Sequence, residues 1–353
     1  AGVSGIQRLL MPFVIPQRRT ALGLLGGLAG AALMPGSLSA KAGRKPPRLR
    51  AGDTVGLVAP ASALTLPDEL DRAIHWITGM GLVPKLGQHV GEQYGYLAGT
   101  DAARASDLDA MFADPDVRAI FAIRGGWGGA RILPLLDWKG IRDNPKLLIG
   151  YSDTTALHLA IAARAGFATL HAPNGASSWQ KESWDSLWQI AFAAGTPVLG
   201  GAGVEDAVGR PARTLTGGTA RGRLLGGNLT ILSTLMGTGW LPDFDGAILF
   251  VEDINEDPYR VDRMFQQLKL GGILDRVGGV IFGQCTRCGS SAPGSDTFTL
   301  DDVVDQYLGA LGKPAIAGFD TGHVGNQLSL PVGVDVEFDA TARTLRMLDP
   351  AVA

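Results

Sequence analysis

Cysteine, histidine and charge are scarce in this chain of 353 residues, and each scarcity argues against a class of protein. The two cysteines, Cys285 and Cys288, form one Cys-x-x-Cys pair, with no second pair and no close pair among the five histidines. A tetrahedral zinc site would be incomplete, and we expect neither a metal nor a cofactor. A redox-active pair stays open, but a structural role is the preferred interpretation, and export would allow the two cysteines to form a local disulfide.

The sequence also lacks a basic stripe with interleaved aromatic residues, so nucleic acid is not expected as a partner. Its formal net charge is -3, and charged residues make up 18% of the chain. Hydrophobic residues make up 46%, and 50 glycines fall in short clusters between apolar runs. This composition is typical of a loop-rich α/β enzyme, and the length is sufficient for two domains.

Acidic residues are absent from residues 1–42, which contain four basic ones. Arg18-Arg19 precedes an apolar stretch over 21–34, and the small-residue site Ala40-Lys41-Ala42 follows. This order predicts an export signal of the twin-arginine type, with a periplasmic location and a cytoplasmic one as the alternative. A short membrane anchor and a start placed too far upstream are the other interpretations.

Short apolar runs alternate with helical patterns over residues 52–175. Strands that are each followed by a helix at this spacing predict a parallel sheet in an α/β domain. The predicted strands cover residues 54–59, 82–86, 117–123, 146–150 and 168–171, and the predicted helices cover 67–80, 101–112, 130–136 and 154–165.

The pattern loosens over residues 176–220, which we interpret as the crossing to a second domain. Trp179, Trp184 and Trp188 lie there among polar residues, where they either line a substrate groove or fill a domain interface. Residues 221–350 mix strands and helices less regularly and predict a smaller α+β domain. Its predicted strands cover 246–252, 277–282, 332–338 and 344–348, and its predicted helices begin after Asn228, Asp257 and Thr299.

Ser152 lies at the corner between the predicted strand 146–150 and the predicted helix 154–165. Such a corner holds a serine in a tight turn, with its hydroxyl above the sheet and a helix N-terminus beneath it. A nucleophile is displayed in this way, although serine is also a good helix cap. Because Asp153 and Thr154 follow the serine, the motif departs from GxSxG and from ordinary α/β-hydrolases.

A segment that we name the glycine loop, residues 124–129, follows the predicted strand 117–123 with the sequence Arg-Gly-Gly-Trp-Gly-Gly. Its glycines allow backbone N–H groups to approach a ligand closely. Neither GxGxxG nor a Walker lysine fits this register, so a phosphate loop is disfavoured. We interpret the segment as an oxyanion-stabilising loop beside Ser152.

An activated serine needs a histidine as base and a third group that fixes the tautomer of that base. His323 is flanked by glycines that let the backbone present its imidazole into a cleft. His171, at the end of a predicted strand, is the competitor as base or substrate contact. His75 and His89 are interpreted as structural or solvated, and His158 faces away from the corner.

Glu252 ends the predicted strand 246–252, where a carboxylate is costly to bury without a partner. It is the candidate acid, with Asp253 as a near alternative and a capping or salt-bridged acid as the structural interpretation. The resulting chain order is Ser152, Glu252, His323, with the nucleophile in the first domain and its partners in the second.

Several motifs, in this order and spacing, resemble the LD-carboxypeptidase family of serine peptidases, which includes enzymes similar to the microcin C immunity peptidase. The resemblance extends from about residue 52 to residue 336. The motifs are Arg124-Gly125-Gly126-Trp127-Gly128, Ile149-Gly150-Tyr151-Ser152-Asp153, Gly226-Gly227-Asn228-Leu229, Phe250-Val251-Glu252-Asp253 with Pro258-Tyr259-Arg260-Val261-Asp262-Arg263, and Gly322-His323.

The resemblance implies a flavodoxin-like N-terminal domain with a parallel sheet, a separate C-terminal domain and a homodimer. By position, it implies Ser152 as the nucleophile, His323 as the base and Glu252 as the acid that orients the base. The oxyanion would be bound by the backbone N–H groups of Gly126 and Asp153.

The implied substrate is a peptidoglycan tetrapeptide, which would lose its terminal D-alanine after diaminopimelate through an acyl-enzyme. Arg124 is the candidate for binding the terminal carboxylate, and Trp127 in the same loop is a second candidate substrate contact. A peptidyl-nucleotide of the microcin type, with Trp179 or Trp184 as a platform for adenine, is the alternative substrate. A non-catalytic nucleotide- or sugar-binding module is the alternative from another class.

Overall fold

A computed structural model describes residues 44–201, 212–289 and 297–353 of the chain. The predicted export signal over residues 1–42 lies outside these residues. Within the described ranges, no helix is both long enough and apolar enough to cross a membrane.

Strands and helices alternate along the first half of the described chain, as the sequence predicts. The predicted helix 130–136 is divided, because a one-turn 3-10 helix that contains Pro134, Leu133–Leu135, follows the first turn. The strands are β1 (Thr54–Val58), β2 (Val83–Leu86), β3 (Val117–Ala122), β4 (Leu147–Gly150) and β5 (Thr169–His171), and the helices are α1 (Glu69–Gly79), α2 (Asp101–Ala113), α3 (Gly129–Ile132), α4 (Trp138–Asp143) and α5 (Thr155–Arg164).

The second half of the described chain is richer in strands. Its strands are β6 (Val198–Gly200), β7 (Arg213–Thr216), β8 (Thr219–Asn228), β9 (Ile248–Ile254), β10 (Gly279–Thr286), β11 (Ala315–Ala317), β12 (Leu330–Val332), β13 (Asp335–Asp339) and β14 (Thr344–Met347). Its helices are α6 (Lys181–Leu187), α7 (Leu229–Thr234), α8 (Pro258–Leu270), α9 (Ile273–Arg276) and α10 (Leu300–Tyr307).

The first sheet has the strand order β2-β1-β3-β4-β5, and these five strands are parallel. This order is that of flavodoxin-like folds, in which ligands bind beyond the carboxyl ends of the strands. The expected flavodoxin-like domain is therefore confirmed. Strand β12, which comes from the far end of the chain, extends this sheet antiparallel to β5.

The second sheet is mixed, in the order β6-β14-β13-β8-β9-β10-β11-β7. Strands β8 to β11 are parallel to one another, and the strands on either side of them are antiparallel to their neighbours. Strands β6 and β7 come from the predicted crossing 176–220, so part of that segment is paired in this sheet. The domain boundaries at 52–175 and 221–350 stay predictions.

The central strands of both sheets are buried almost throughout, with β4 and the first six residues of β9 fully inaccessible or nearly so. Helices cover both faces of such strands, which explains why they are unbroken apolar runs in the sequence. The predicted helix starts after Asn228 and Thr299 are also confirmed. Asn228 accepts a hydrogen bond from the Ile231 N–H, and Thr299 forms a capping box with Asp302.

Candidate active site

The loop between β4 and α5 presents Ser152 at the carboxyl edge of the first sheet. Ser152 begins a one-turn 3-10 helix, Ser152–Thr154, with a φ of +61°, in the left-handed region that favours glycine. Backbone strain of this kind is concentrated at functional sites. A Cβ at Gly125 would lie 2.9 Å from the Ser152 Cβ, so the glycine loop reaches the serine only because residue 125 lacks a side chain.

The three residues predicted as nucleophile, base and acid lie in hydrogen-bond contact. Ser152 Oγ lies 3.2 Å from His323 Nε2, and His323 Nδ1 lies 2.8 Å from Glu252 Oε2. The Glu252 side chain has no exposed surface, and the His323 side chain is 13% exposed. Ser152 makes this contact and no side-chain cap at the start of α5. The arrangement is that of a serine activated by an oriented histidine.

Two contacts hold the His323 loop against the second sheet. The Thr286 hydroxyl, near the end of β10, donates a hydrogen bond of 2.9 Å to the His323 carbonyl. Gly322 has a φ of +115°, and a Cβ there would lie 2.8 Å from the Glu252 Cβ. Any larger residue at position 322 would force Glu252 or the His323 loop to move.

The second sheet packs against α5, the helix that follows Ser152, through the Gly-Gly-Asn motif at the end of β8. The Asn228 N–H donates a hydrogen bond of 2.9 Å to the Thr155 hydroxyl, which lies on α5. Gly227 has a φ of +138°, and a Cβ there would lie 2.4 Å from Thr155 Oγ1. The motif therefore brings the strand that precedes Glu252 within direct contact of the helix that follows Ser152.

Asp253, the alternative acid, faces away from His323. Its carboxylate accepts hydrogen bonds from the Thr230 N–H and hydroxyl, both at 2.9 Å, and from the Asn228 side-chain amide at 3.0 Å. These contacts stabilise the start of α7. Burial, together with the neighbouring Glu252 charge, raises the pKa of Asp253. The structure thus assigns the two adjacent acids to different partners.

His171, the competing base, is buried beneath the site rather than in it. Its ring packs edge-on against Phe250 and Tyr151, and neither ring nitrogen has a hydrogen-bond partner among the described residues. Burial lowers its pKa well below the usual value. His158 is also buried, at 2.9 Å from the Gly150 carbonyl, and burial lowers its pKa to about 4.

The two remaining histidines lie away from Ser152, in keeping with their interpretation as structural or solvated, and His75 is exposed. His75 lies on α1 with its ring edge-on to Trp76. His89 lies 2.7 Å from the Asp107 carboxylate on α2.

The two predicted oxyanion donors lie on the loops that border Ser152. Asp153 is the second residue of the 3-10 turn, so its N–H has no acceptor within that turn. A Cβ at Gly125 would lie 3.4 Å from the Asp153 nitrogen. Gly126 has a φ of +108°, and a Cβ there would lie 2.3 Å from Ser62 Oγ, in the loop after β1. Glycine is thus required at both positions for the glycine loop to lie between Ser62 and the nucleophile.

A polar cleft of about 270 Å³ opens at Ser152 and His323. Its walls include Arg72, Arg124 and Glu69. Arg124 Nη1 donates to the Ala63 carbonyl at 3.0 Å and lies 3.2 Å from the Glu69 carboxylate, which fixes the guanidinium in place. The cleft therefore combines a candidate nucleophile with cationic groups suited to a carboxylate.

A second cleft of about 230 Å³ lies on the other side of His323. It shares Tyr151, Ser177 and His323 with the first cleft, and Val324 and Gly325 also line it. The Tyr151 ring packs against the His323 ring at 4.7 Å between centroids. Both clefts therefore border His323, whereas Ser152 lines the first cleft only.

The tryptophans predicted as substrate contacts do not line the two clefts. Trp127 is 36% exposed in the glycine loop and is not among the described residues that line the two clefts. Trp179 is buried against Phe121, and Trp184 packs against Trp188 and Phe192. None of the three tryptophans of the crossing lines either cleft, which argues against the interpretation that they line a substrate groove at Ser152.

Cys285 and Cys288 form the local disulfide that the structural interpretation allowed. Its ring includes Thr286, which holds the His323 loop. In the described part of the chain, no group of three or more histidine, cysteine, aspartate or glutamate side chains could hold a metal ion.

Two family models match most of the chain. The N-terminal domain of LD-carboxypeptidases matches residues 55–172, and the C-terminal domain of LD-carboxypeptidases matches residues 221–338. The chain belongs to the LD-carboxypeptidase family. The family indicated by the motifs is therefore confirmed, and with it a serine-type carboxypeptidase, which is a hydrolase.

Curated relatives and solved structures agree with this family. The "Probable murein peptide carboxypeptidase" of Bacillus subtilis (strain 168) is 36% identical over 308 residues, covering 85% of this chain and 93% of that protein. The "Murein tetrapeptide carboxypeptidase" of Pseudomonas aeruginosa is 33% identical over 290 residues, covering 79% of this chain and 91% of that protein. The structure of MccF, a microcin C7 self-immunity protein, in complex with glutamyl sulfamoyl guanosine has a TM-score of 0.78 at 26% identity, covering 88% of this chain and 99% of that chain.

This LD-carboxypeptidase also has site residues that sequence reasoning missed. Ser62 binds the glycine loop, and Thr286 binds the His323 loop. Arg104, on α2, reaches the glycine loop from behind. Serine, threonine and helical arginine are common surface residues, so the local sequence does not mark Thr286 or Arg104 as functional. For Ser62 there was one usable signal, its position shortly after a buried strand.

Proposed function

We propose that this LD-carboxypeptidase removes the terminal D-alanine from murein tetrapeptides through an acyl-enzyme on Ser152. The observation that carries the proposal is the contact of Ser152 Oγ with His323 Nε2 at 3.2 Å, beside a cleft that contains two arginines. The names of the relatives from Bacillus subtilis and Pseudomonas aeruginosa support a murein peptide as the substrate.

In the acylation step, Ser152 Oγ attacks the scissile carbonyl while His323 Nε2 takes the hydroxyl proton. Glu252 accepts the Nδ1 hydrogen of His323, so it holds the correct tautomer and stabilises the imidazolium. The backbone N–H groups of Gly126 and Asp153 bind the oxygen that becomes negative. When the tetrahedral intermediate collapses, the C–N bond breaks and the imidazolium donates its proton to the D-alanine amine.

In the deacylation step, His323 takes a proton from water as the water attacks the ester carbonyl of the acyl-enzyme. The ester bond to Ser152 then breaks, and the serine oxygen regains a proton from His323. The products are the shortened peptide acid and a restored nucleophile. The reaction consumes one water and needs no cofactor.

Arg124 is proposed to bind the terminal carboxylate, with Glu69 holding its guanidinium, and Trp127 is proposed as a contact at the rim. A guanidinium binds a carboxylate in a bidentate geometry that an uncharged amide cannot reproduce. We therefore expect a tetrapeptide with a free carboxyl end to be cleaved much faster than its C-terminal amide. Arg124→Met should abolish that preference, and an unchanged preference would contradict the role of Arg124.

Ser152→Ala tests the nucleophile directly. D-Alanine release from muramyl tetrapeptide should fall by about 10⁶-fold, to the residual rate left when a serine nucleophile is lost, while thermal unfolding stays cooperative. Ser106→Ala, which alters an exposed serine on α2, is the matched control. Labelling by a fluorophosphonate should be lost in Ser152→Ala alone. Retention of a few per cent of the activity would refute the proposal.

A peptidyl-nucleotide is the second candidate substrate, favoured by the similarity to MccF with bound glutamyl sulfamoyl guanosine. Trp179 and Trp184, proposed as a platform for the base, lie outside the two clefts at Ser152. Assaying muramyl tetrapeptide and glutamyl sulfamoyl adenosine side by side distinguishes the two. A higher kcat/KM for the nucleotide would replace the murein assignment.

Export and dimerisation are proposed on separate grounds. The twin-arginine pattern supports a periplasmic location, and the Cys285–Cys288 disulfide is in keeping with an oxidising compartment. Mass spectrometry of the mature N-terminus tests export, because an uncleaved chain in the cytoplasm would contradict it. The homodimer rests on the family resemblance, and sedimentation of the purified protein tests it.

A further inference from the structure

We propose that the buried side chain of Arg104, acting with the carboxylate of Asp153, positions the glycine loop so that the Gly126 N–H faces the oxyanion. Arg104 is thus a positioning residue for catalysis, although it touches neither the nucleophile nor the cleft. The inference rests on the proposed function, since it assumes that Gly126 stabilises the tetrahedral intermediate.

Arg104 forms hydrogen bonds with two loops and does not line the cleft at Ser152. Its side chain is 1% exposed, and its Nη1 donates to the Pro60 carbonyl at 2.5 Å and to the Gly128 carbonyl at 2.8 Å. Pro60 lies in the loop after β1, and Gly128 lies in the glycine loop after β3. Its Nη2 pairs with Asp101. The guanidinium therefore fixes the relative position of two loops at the edge of the sheet where the site lies.

Asp153 binds the same part of the glycine loop from the opposite direction. Its Oδ2 accepts a hydrogen bond of 2.6 Å from the Gly129 N–H, and the residue is 1% exposed. The Gly128 carbonyl and the Gly129 N–H belong to one planar peptide group, whose two polar ends point in opposite directions. Because Arg104 binds one end and Asp153 the other, that peptide group cannot rotate without breaking two buried hydrogen bonds.

The glycine loop needs such anchors, since its glycines do not fix their own conformation. Gly126 and Gly128 have φ values of +108° and +131°, and glycine adopts positive and negative φ with similar ease. On its other side, the loop is bound by Ser62, whose Oγ accepts from the Trp127 N–H at 3.0 Å. The contact between the Ser62 N–H and the Gly125 carbonyl, at 3.4 Å, is long. Ser62 alone thus binds the peptide group that carries the Gly126 N–H only loosely.

The cost of burying Arg104 also argues for a role beyond packing. Taking a guanidinium out of water is unfavourable, and an apolar side chain of similar volume often stabilises a protein more. Arg104 directs two of its hydrogen bonds to loop carbonyls rather than to the core. Such groups pre-orient dipoles for a developing charge, which is where electrostatic catalysis is most effective.

Arg104→Met should lower kcat by about 10²-fold, as expected when one oxyanion donor is misplaced, with KM changed less than about threefold. Arg104→Lys should give an intermediate kcat, because an ammonium can donate to the loop carbonyls but lacks the second nitrogen with which Arg104 also pairs with Asp101. Arg131→Gln is the matched control. It removes an exposed guanidinium that binds the same Asp101 but no loop carbonyl, it leaves the hydrogen bond from the Arg131 backbone N–H to the Gly128 carbonyl in place, and its kcat should equal that of the parent.

The measurement is D-alanine release from muramyl tetrapeptide per active site, with the sites counted by exhaustive fluorophosphonate labelling. A folding defect lowers the number of sites, whereas misplacement of the donor lowers the turnover of each site. If Arg104→Met gives no soluble protein, the kcat per active site of Arg104→Lys and Asp153→Ala tests the proposal instead. An unchanged kcat per site in these variants, or a higher KM at constant kcat, would overturn the proposal.

The rate of fluorophosphonate labelling separates this inference from the proposed function. Attack of Ser152 on the phosphonate also places negative charge on an oxygen in the oxyanion site, whatever the natural substrate is. Slower labelling of Arg104→Met, with Arg131→Gln labelled at the parent rate, supports the positioning role even if murein peptides are not cleaved. Equal labelling rates contradict it, even if the parent protein releases D-alanine.

Discussion

Asp153→Asn is expected to stabilise the protein at neutral pH, because the carboxylate is buried at the site at a cost in stability. Burial raises the pKa of Asp153 from 3.8 to about 6, against the opposing effect of its hydrogen bonds to the glycine loop. Between these two pH values the folded state holds a proton that the unfolded chain has released. The free energy of unfolding therefore falls as the pH rises through this window.

The structure gives the size of the effect. Each unit of difference between the folded and unfolded pKa values changes the free energy of unfolding by about 1.36 kcal/mol. The buried carboxylate therefore lowers the free energy of unfolding by ~3 kcal/mol above pH 6 and by little below pH 4. Asparagine cannot ionise, and its side-chain oxygen can still accept from the Gly129 N–H. For a chain of this size, ~3 kcal/mol corresponds to a rise in Tm of about 5 °C.

The assay is thermal unfolding of parent and variant at pH 7.5 and pH 4.0. The Tm difference should be large at pH 7.5 and close to zero at pH 4.0. Asp245→Asn, which alters an exposed carboxylate in the turn before β9, is the control and should change neither value. A variant that is destabilised at pH 7.5, or stabilised equally at both pH values, would refute the reasoning.

Three further predictions concern Glu252, Ser152 and the disulfide. Glu252→Gln should lower kcat by about 10³- to 10⁴-fold with KM little changed, because a glutamine amide does not keep the hydrogen on His323 Nδ1 as the Glu252 carboxylate does. A kcat within tenfold of the parent would show that another group fixes this tautomer. Ser152→Gly should unfold at a higher temperature than Ser152→Ala, because glycine relieves a backbone strain of ~1 kcal/mol at a φ of +61°; equal Tm values would show that no strain is present. Replacing Cys285 and Cys288 together by serine should cost ~2 kcal/mol in a calorimetric comparison, as the loss of a short disulfide loop does, and unchanged stability under oxidising conditions would contradict that value.

The elements of the first sheet could be predicted because their apolar runs and helical patterns alternate regularly. Five strands were not predicted, namely β6, β7, β8, β11 and β12. Strand β8 contains Gly222, Gly226 and Gly227, and glycine is depleted in strands, while β11 has only three residues. Strand β6 is three residues long and β7 four, and both lie at the edges of the second sheet, where half-exposed strands have no distinctive pattern. Strand β12 contains Pro331, which argues against a strand except at a sheet edge, and the edge beside β5 is where it lies.

The reacting side chains could be predicted because chemistry restricts them to few residue types. A chain with five histidines offers few bases, and only His323 is directly adjacent to a glycine. The choice between Glu252 and Asp253 depended on which way each side chain faces, and β9 continues beyond Glu252 to Ile254. Arg104 could not be found, because a basic residue in an amphipathic helix ordinarily faces solvent, and its burial depends on loops distant in sequence.

Strand β12 also affects how substrates enter and leave the site. It begins seven residues after His323 and pairs with β5, which in turn pairs with β4, the strand that leads to Ser152. Nucleophile and base are thus both tethered to one continuous hydrogen-bonded ladder. If the second sheet moved away from the first, β12 would stay paired with β5, so the six residues between His323 and β12 limit how far the base can move from Ser152 when peptides enter.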